Sequence, residues 1–208
     1  MIQVQIYPVT MLQTNCCYLR DEKTGKTAVS DPGARSKALE AQIESDGGRL
    51  DFVLLTHGHY DHICYAGQLA DKYGAKIVTG RHNAPFLRDT YLNGTRNHGI
   101  IFTPFEADIL LEDGETFFLG ETEITYLYTP GHTTGCGVFI FDDVMLAGDL
   151  IFRDSYGRTD LPTGSDEQMI DSMRRIKALE GDYTIVPGHG PLTELSYERL
   201  HNPLMGRL

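Results

Sequence analysis

The sequence predicts an α/β chain of two β-sheets packed together with helices outside. Strand-like runs alternate with helical stretches, and a strand-rich block followed by a helix occurs twice over. Histidine and aspartate gather in segments that each follow directly on a strand. At 208 residues the chain fits one domain, residues 1–208, with a substantial core.

Taken in order, strands are expected at 2–7, 14–20 and 27–31, with Asp21-Glu22-Lys23-Thr24-Gly25 as a hairpin turn. Asp31-Pro32-Gly33 ends the third strand. Ser36 caps a helix whose Leu39 and Ile43 share one face, and Gly47-Gly48 stops it. The apolar run Phe52-Val53-Leu54-Leu55, in a strand over 51–55, then delivers the segment Thr56-His57-Gly58-His59-Tyr60-Asp61-His62. Ile63, Ala66, Leu69, Ala70 and Tyr73 recur at helical spacing up to Gly74, and Ala75-Lys76-Ile77-Val78 is a short strand. This β–loop–α–β order leaves functional loops at the carboxyl ends of strands.

Residues 90–106 show no clean period and read as a long loop of the kind that covers a site. Strands follow at 108–111, 115–119, 123–128, 137–141 and 143–147, with turns at Asp113-Gly114 and Asp142-Asp143. Ser165-Asp166-Glu167-Gln168 reads as a capping box opening a helix with Met169, Met173 and Ile176 inward. The strand Thr184-Ile185-Val186 leads into Pro187-Gly188-His189-Gly190-Pro191.

A net charge of −11 and the absence of any Lys/Arg run exclude a nucleic-acid footprint and argue against anionic membrane surfaces. No apolar stretch reaches bilayer length and the N-terminus lacks a signal-peptide pattern, so a cytoplasmic protein is expected. The four cysteines, Cys16, Cys17, Cys64 and Cys136, lack CxxC spacing and are expected reduced and mostly buried. Cys16 and Cys17, adjacent in a strand, face opposite sides of the sheet. Cys64 and Cys136 lie near metal-ligand candidates, where a ligand or redox role is subordinate to packing.

The segment from His57 to His62 holds three histidines and one aspartate. Imidazole and carboxylate are the side chains that hold divalent zinc or iron at neutral pH. The HxHxDH spacing lets ligand pairs point in two directions, enough to begin a dinuclear site. Gly131-His132, Gly148-Asp149 and Gly188-His189 add three more candidates, each after a strand and each preceded by glycine. Five histidines and two aspartates make a full complement for two metals sharing one carboxylate. His82, His98 and His201 match no motif position and are expected at the surface or in hydrogen bonds; His98, in the long loop, has approach to a substrate as its alternative.

HxHxDH followed by histidine, aspartate and histidine in separate downstream loops resembles the metallo-β-lactamase-fold hydrolases. The likeness runs from Thr14-Asn15-Cys16-Cys17-Tyr18 to Glu198-Arg199-Leu200-His201-Asn202-Pro203. It implies a four-layer αββα sandwich with the site at the edge of the two sheets. It further implies that one metal takes His57, His59 and His132, the other takes Asp61, His62 and His189, and Asp149 bridges them. The implied cofactors are two divalent ions, zinc first, with iron or manganese as alternatives.

Within this fold, Gly148-Asp149-Leu150-Ile151-Phe152, Gly157-Arg158-Thr159-Asp160-Leu161-Pro162 and Gly188-His189-Gly190-Pro191 resemble the short glyoxalase II-like (hydroxyacylglutathione hydrolase-like) subgroup. That resemblance implies a small acyl-thioester substrate, attacked by a metal-bridging hydroxide that Asp61 orients. Larger glyoxalases II carry a lysine- and tyrosine-containing segment after the bridging aspartate and a helical C-terminal domain. This chain has Arg158-Thr159-Asp160 there and 19 residues after His189. Arg158, Tyr156 and Phe152 are candidate substrate contacts; the structural alternative pairs Arg158 with Asp154 or Asp160, and packs the aromatic residues in the core.

Two other readings stand beside this one. A persulfide dioxygenase of the same fold would hold a single iron on His57, His132 and Asp149. A metal-stabilised binding protein would use the same ligands without turnover. The sequence carries no signal for an oligomeric state.

Overall fold

A computed structural model describes residues 1–208. The first sheet is formed by β1 (Ile2–Val9), β2 (Thr14–Asp21), β3 (Thr27–Ser30), β4 (Phe52–Leu55), β5 (Lys76–Gly80) and β6 (Ile109–Leu111), paired in that order. Its first three strands are antiparallel, and β3 through β6 run parallel. Between them lie α1 (Lys37–Ser45), α2 (Tyr60–Ile63), α3 (Ala66–Tyr73) and α4 (Thr95–His98).

The second sheet contains β7 (Thr116–Leu119), β8 (Thr122–Tyr128), β9 (Gly137–Phe141), β10 (Val144–Gly148), β13 (Thr184–Pro187) and β14 (Thr193–Glu194), in the spatial order 14-13-10-9-8-7. A small hairpin, β11 (Ile151–Phe152) and β12 (Ser155–Tyr156), follows β10. Helices α5 (Asp166–Lys177) and α6 (Leu195–His201) complete this half. No helix is long and apolar enough to cross a membrane.

Three apolar layers explain why the sheets stack. Leu19, Leu54 and Val78 of the first sheet meet Tyr126, Phe139 and Leu146 of the second in the interior layer. The outer face of the first sheet packs Val29, Val53 and Ile77 against Leu39 and Ile43 of α1 and Leu69 of α3. The outer face of the second packs Val138, Met145 and Ile185 against Met169, Met173 and Ile176 of α5. The αββα order is therefore read directly from which residues touch. Each fully buried Phe or Leu contributes roughly 1.5–3 kcal/mol, so packing sets where the strand ends lie. Cys16 joins the outer layer and Cys17 the interior one, on opposite faces as expected.

The strand directions bring the functional loops to one edge. β8 and β10 are each antiparallel to β9, and β10 is parallel to β13, so all three end on the same side. The β10–β13 register shifts between Leu146 and Gly148. Gly148 sits at φ +49 and closely approaches the other sheet: a Cβ there would lie 2.4 Å from Thr56 Oγ1. Only glycine permits both the turn and that contact.

Several local expectations need correction. The 90–106 segment is not featureless, because Thr95–His98 forms one helical turn. The box at Ser165 is half made. Ser165 Oγ accepts from Gln168 N at 3.3 Å, but Gln168 Oε1 has no partner because Ser165 N donates to Gly131 O at 2.8 Å. The chain thereby ties α5 to the His132 loop.

Glu40 on α1 gives the fold an acid-sensitive point. Buried, it accepts two bonds from Arg35 at 3.0 Å and one from the Tyr65 hydroxyl, and Lys72 Nζ lies 3.3 Å away. Arg35, then Tyr65, hold its carboxyl down at about 2. A depressed carboxyl stabilises the fold above its ordinary pKa of 4.5 and loses that contribution as pH falls towards about 2. Glu40→Gln is therefore expected to flatten the loss of stability across that window, read as urea midpoints against pH; an unchanged acid limb would contradict this.

Candidate metal centre

The loop after β4 begins at Thr56, whose backbone N–H donates to Asp31 Oδ1 at 2.9 Å and whose hydroxyl donates to Asp31 Oδ2 at 2.7 Å. Asp31 follows β3, the parallel neighbour of β4, and is held at φ +48. The loops after β8, β10 and β13 bring in His132, Asp149 and His189. All seven residues expected as ligands converge: His57 with His59 and His132, Asp61 with His62 and His189, and His57 and His62 with Asp149. Within each trio the ligand-type atoms lie within 4.8 Å of one another.

Asp149 faces both outer trios. Its Oδ1 lies 3.5 Å from His62 Nε2 and 3.6 Å from His189 Nε2, while Oδ2 lies 3.4 Å from His132 Nε2. Asp61 Oδ2 lies 3.1 Å from His189 Nε2 and 3.5 Å from His62 Nε2, and accepts from Thr14 Oγ1 at 3.3 Å.

Three rings have their other nitrogen hydrogen-bonded outside the centre, and that of a fourth, His62, faces a carboxylate. His132 Nδ1–H donates to Arg158 O at 2.7 Å and His189 Nδ1–H to Leu12 O at 3.0 Å. His57 Nδ1 lies 3.2 Å from Thr56 Oγ1, and His62 Nδ1 lies 3.2 Å from Asp31 Oδ2. Such partners fix the tautomer and present the Nε2 lone pair inward. Asp31 is the functional residue that the sequence reading missed. It orients His62 directly and His57 through Thr56.

The residues present fit divalent metal ions. His57 Nε2 and Asp149 Oδ1 are buried with no hydrogen-bond partner, although they face other ligand-type atoms. Buried polar atoms left this way are costly unless something binds them. A Cβ on Gly188 would lie 2.1 Å from Asp149 Oδ1 and 2.9 Å from His62 Cε1, so glycine keeps the cradle open.

The field has the same sense. Burial, then the charge of neighbouring histidines, pushes His57 down, and burial with His132 takes His59 down to about 3, so both stay in the neutral, ligating form. Burial also opposes charge on His62, but Asp61, Asp149 and Asp31 outweigh it and raise the imidazole to about 10. Burial disfavours the Asp61 carboxylate, yet His62 and His189 hold it well below the usual range. Positive charge is welcome at this point, as a proton or as a cation.

Above the centre lies a cavity of about 310 Å³. Leu12 forms one wall, Tyr91, Asn97 and His98 another, and Arg158 with Leu161 a third. Arg158 lines it, but its guanidinium makes a two-pronged pair with Asp160, Nε–Oδ1 2.7 Å and Nη2–Oδ2 2.7 Å. Phe152 and Tyr156 are not part of this lining; they occupy the β11–β12 hairpin, with the Phe152 ring 6.2 Å from that of His189. His82 stacks on Tyr128 and His201 on Tyr197, away from the centre as expected. His98 is exposed and also lines the cavity.

Residues 9–189 match the Lactamase_B family, described as the metallo-beta-lactamase superfamily. The chain belongs to that superfamily. It is a metal-dependent hydrolase of the metallo-β-lactamase fold, with a histidine and aspartate metal site. It is 33% identical over 216 residues to hydroxyacylglutathione hydrolase GloC of Haemophilus influenzae, covering 98% of each chain. Among solved structures it resembles the BLEG-1 B3 metallo-beta-lactamase, with a TM-score of 0.89, 30% identity and 99% of both chains covered. It also resembles TTHA1623 in a di-iron-bound form, with a TM-score of 0.83, 28% identity, and 96% of this chain and 99% of that one covered.

Proposed function

We propose that this metallo-β-lactamase-fold protein hydrolyses small acyl thioesters with two divalent ions, one on His57, His59 and His132, the other on Asp61, His62 and His189. The observation that carries this is Asp149, whose two oxygens address both trios beneath one open cavity. Zinc suits the imidazole-rich set, and iron, seen in TTHA1623, is the alternative. Two such ions supply Lewis acidity and hydroxide at neutral pH. Asp61, fixed by Thr14, accepts a hydrogen bond from the attacking oxygen and aims it.

Thioester preference rests on the leaving group and on the likeness to GloC. A thiolate departs without prior protonation, since its conjugate acid has a pKa of about 8.5. An amine leaves far less readily. The dioxygenase alternative engages only His57, His132 and Asp149, and leaves His59, Asp61, His62 and His189 assembled with no task.

Metal quantitation on protein as purified, with a panel of thioester, ester, lactam and persulfide substrates, tests the proposal. The expected outcome is two metals per chain and oxygen-independent thioester cleavage, with Asp61→Asn folded and inactive. One iron with persulfide-dependent oxygen uptake would sink it; preferential lactam cleavage would move the substrate class; no turnover on any substrate would leave a binding protein.

A further inference from the structure

Four histidines line the cavity: His59, His98, His132 and His189. Three have a ring nitrogen engaged with the protein, His132 on Arg158 O, His189 on Leu12 O, and His59 Nδ1 on His132 Nε2 at 2.8 Å. His98 has no protein hydrogen-bond partner at either nitrogen. Its ring stacks instead on Tyr60, with centroids 4.6 Å apart and planes inclined at 42°. Tyr60 lies between His59 and Asp61 in the sequence, so the stack starts beside the metal centre.

The segment holding His98 is firmly tied down. Tyr60 N–H donates to Asn93 O at 2.9 Å. Asn93 is fully buried; its amide donates to Phe86 O at 2.9 Å, and its Oδ1 accepts from Thr95 N at 3.0 Å and Thr95 Oγ1 at 2.7 Å. α4 is thus bolted to the metal-binding loop, and its last residue is His98. Asn97, beside it in the same wall, also has a side chain without a protein partner. Arg158, which also lines the cavity, spends its Nε and Nη2 on Asp160. The open hydrogen-bonding groups of this wall are therefore the His98 imidazole, the Asn97 carboxamide and the Tyr91 hydroxyl.

We propose that His98 is a specificity-determining residue that hydrogen-bonds a neutral polar group of the substrate outside the scissile carbonyl, a hydroxyl or an amide. This rests on the hydrolase reading. The stack on Tyr60 sets the ring plane, and the fixed turn sets its distance from the centre. Neither contact uses the ring nitrogens, which stay available for ligand.

His98→Phe keeps an aromatic ring on Tyr60 and removes both nitrogens; His98→Gln returns a donor and an acceptor without the ring. Zinc-loaded full chains are assayed on two thioesters that separate the sources, S-acetyl-N-acetylcysteamine (amide on the thiol side) and the S-ethyl thioester of lactate (hydroxyl on the acyl side). Expected for His98→Phe is a KM raised about 5–10-fold on at least one of them, the worth of one hydrogen bond, with kcat within about twofold. His98→Gln recovers part of the loss. Wild-type KM on both thioesters, or a fall in kcat at constant KM, overturns the proposal.

A binding readout works without turnover. The His98 imidazole signals, assigned by difference against His98→Phe, are followed by NMR as stable thioether analogues of both compounds are added. Expected is a shift with at least one analogue; unmoved signals with both overturn the proposal. If the wild type cleaves neither thioester, the thioester reading falls separately, and the imidazole signals still decide whether His98 meets ligand.

Discussion

Asp149→Asn is expected to lose one of the two proposed metal ions and to reduce hydrolysis by more than the roughly 10–100-fold that follows loss of an outer partner. The size follows from position. Asp149 offers one oxygen to His62 and His189 at 3.5 and 3.6 Å and the other to His132 at 3.4 Å. Asparagine is almost the same shape, so packing survives. It keeps one acceptor and turns the other into an NH2 whose protons repel a cation, so only one side of the bridge remains. Metal per chain and turnover at saturating metal read the outcome together. Two ions retained with full activity would show that Asp149 does not join the trios.

The second large effect lies one layer out. Asp31→Ala is expected to destabilise the metal-free protein by about 3–5 kcal/mol, as breaking a buried charged pair does, and to weaken metal binding about 10–100-fold. The alanine leaves the Thr56 N–H and hydroxyl without their acceptor and His62 Nδ1 without its carboxylate. Asp31→Asn restores an acceptor to Thr56 but no charge to His62, so a smaller loss of stability is expected with a similar loss of affinity. Urea unfolding in chelator and competitive metal titration separate the two. A change below about 1 kcal/mol for alanine, typical of surface substitutions, would mean that this network is not holding the loop.

The sequence was most informative where chemistry sits in consecutive residues. His57 to His62 announce themselves because six neighbours carry four ligand-type side chains. His132, Asp149 and His189 were legible because each follows a strand and a glycine, and the strand directions bring those ends to one edge. Asp31 was hidden by its local context. In Asp31-Pro32-Gly33 it reads as a turn former, and only the parallel pairing of β3 with β4 sets it beneath Thr56 and His62.

His98 was obscured differently. Residues 90–106 have no period, so nothing local says that Asn93 buries its amide and aims the next turn at the cavity. Arg158 could be read either as a substrate clamp or as a structural pair, and proximity to Asp160 decided its geometry. Phe152 and Tyr156 are candidate substrate contacts in the sequence, but both sit in the β11–β12 hairpin and neither lines the cavity. The short α6 also escaped notice. Its buried Glu198 accepts from Thr193 Oγ1 at 2.6 Å and Asn202 Nδ2 at 2.8 Å, contacts that hydrophobic patterning does not register.

The division of the seven ligand-type residues between the loops of two sheets has a kinetic consequence. Four come from one loop after β4, and three come from loops after β8, β10 and β13. The early loop can be synthesised and even structured while the later residues are still distant along the chain. Contacts between segments so far apart form late, after the chain entropy of closing the intervening loop has been overcome. Tight metal capture should therefore be among the final events of folding, when the second sheet docks on the first.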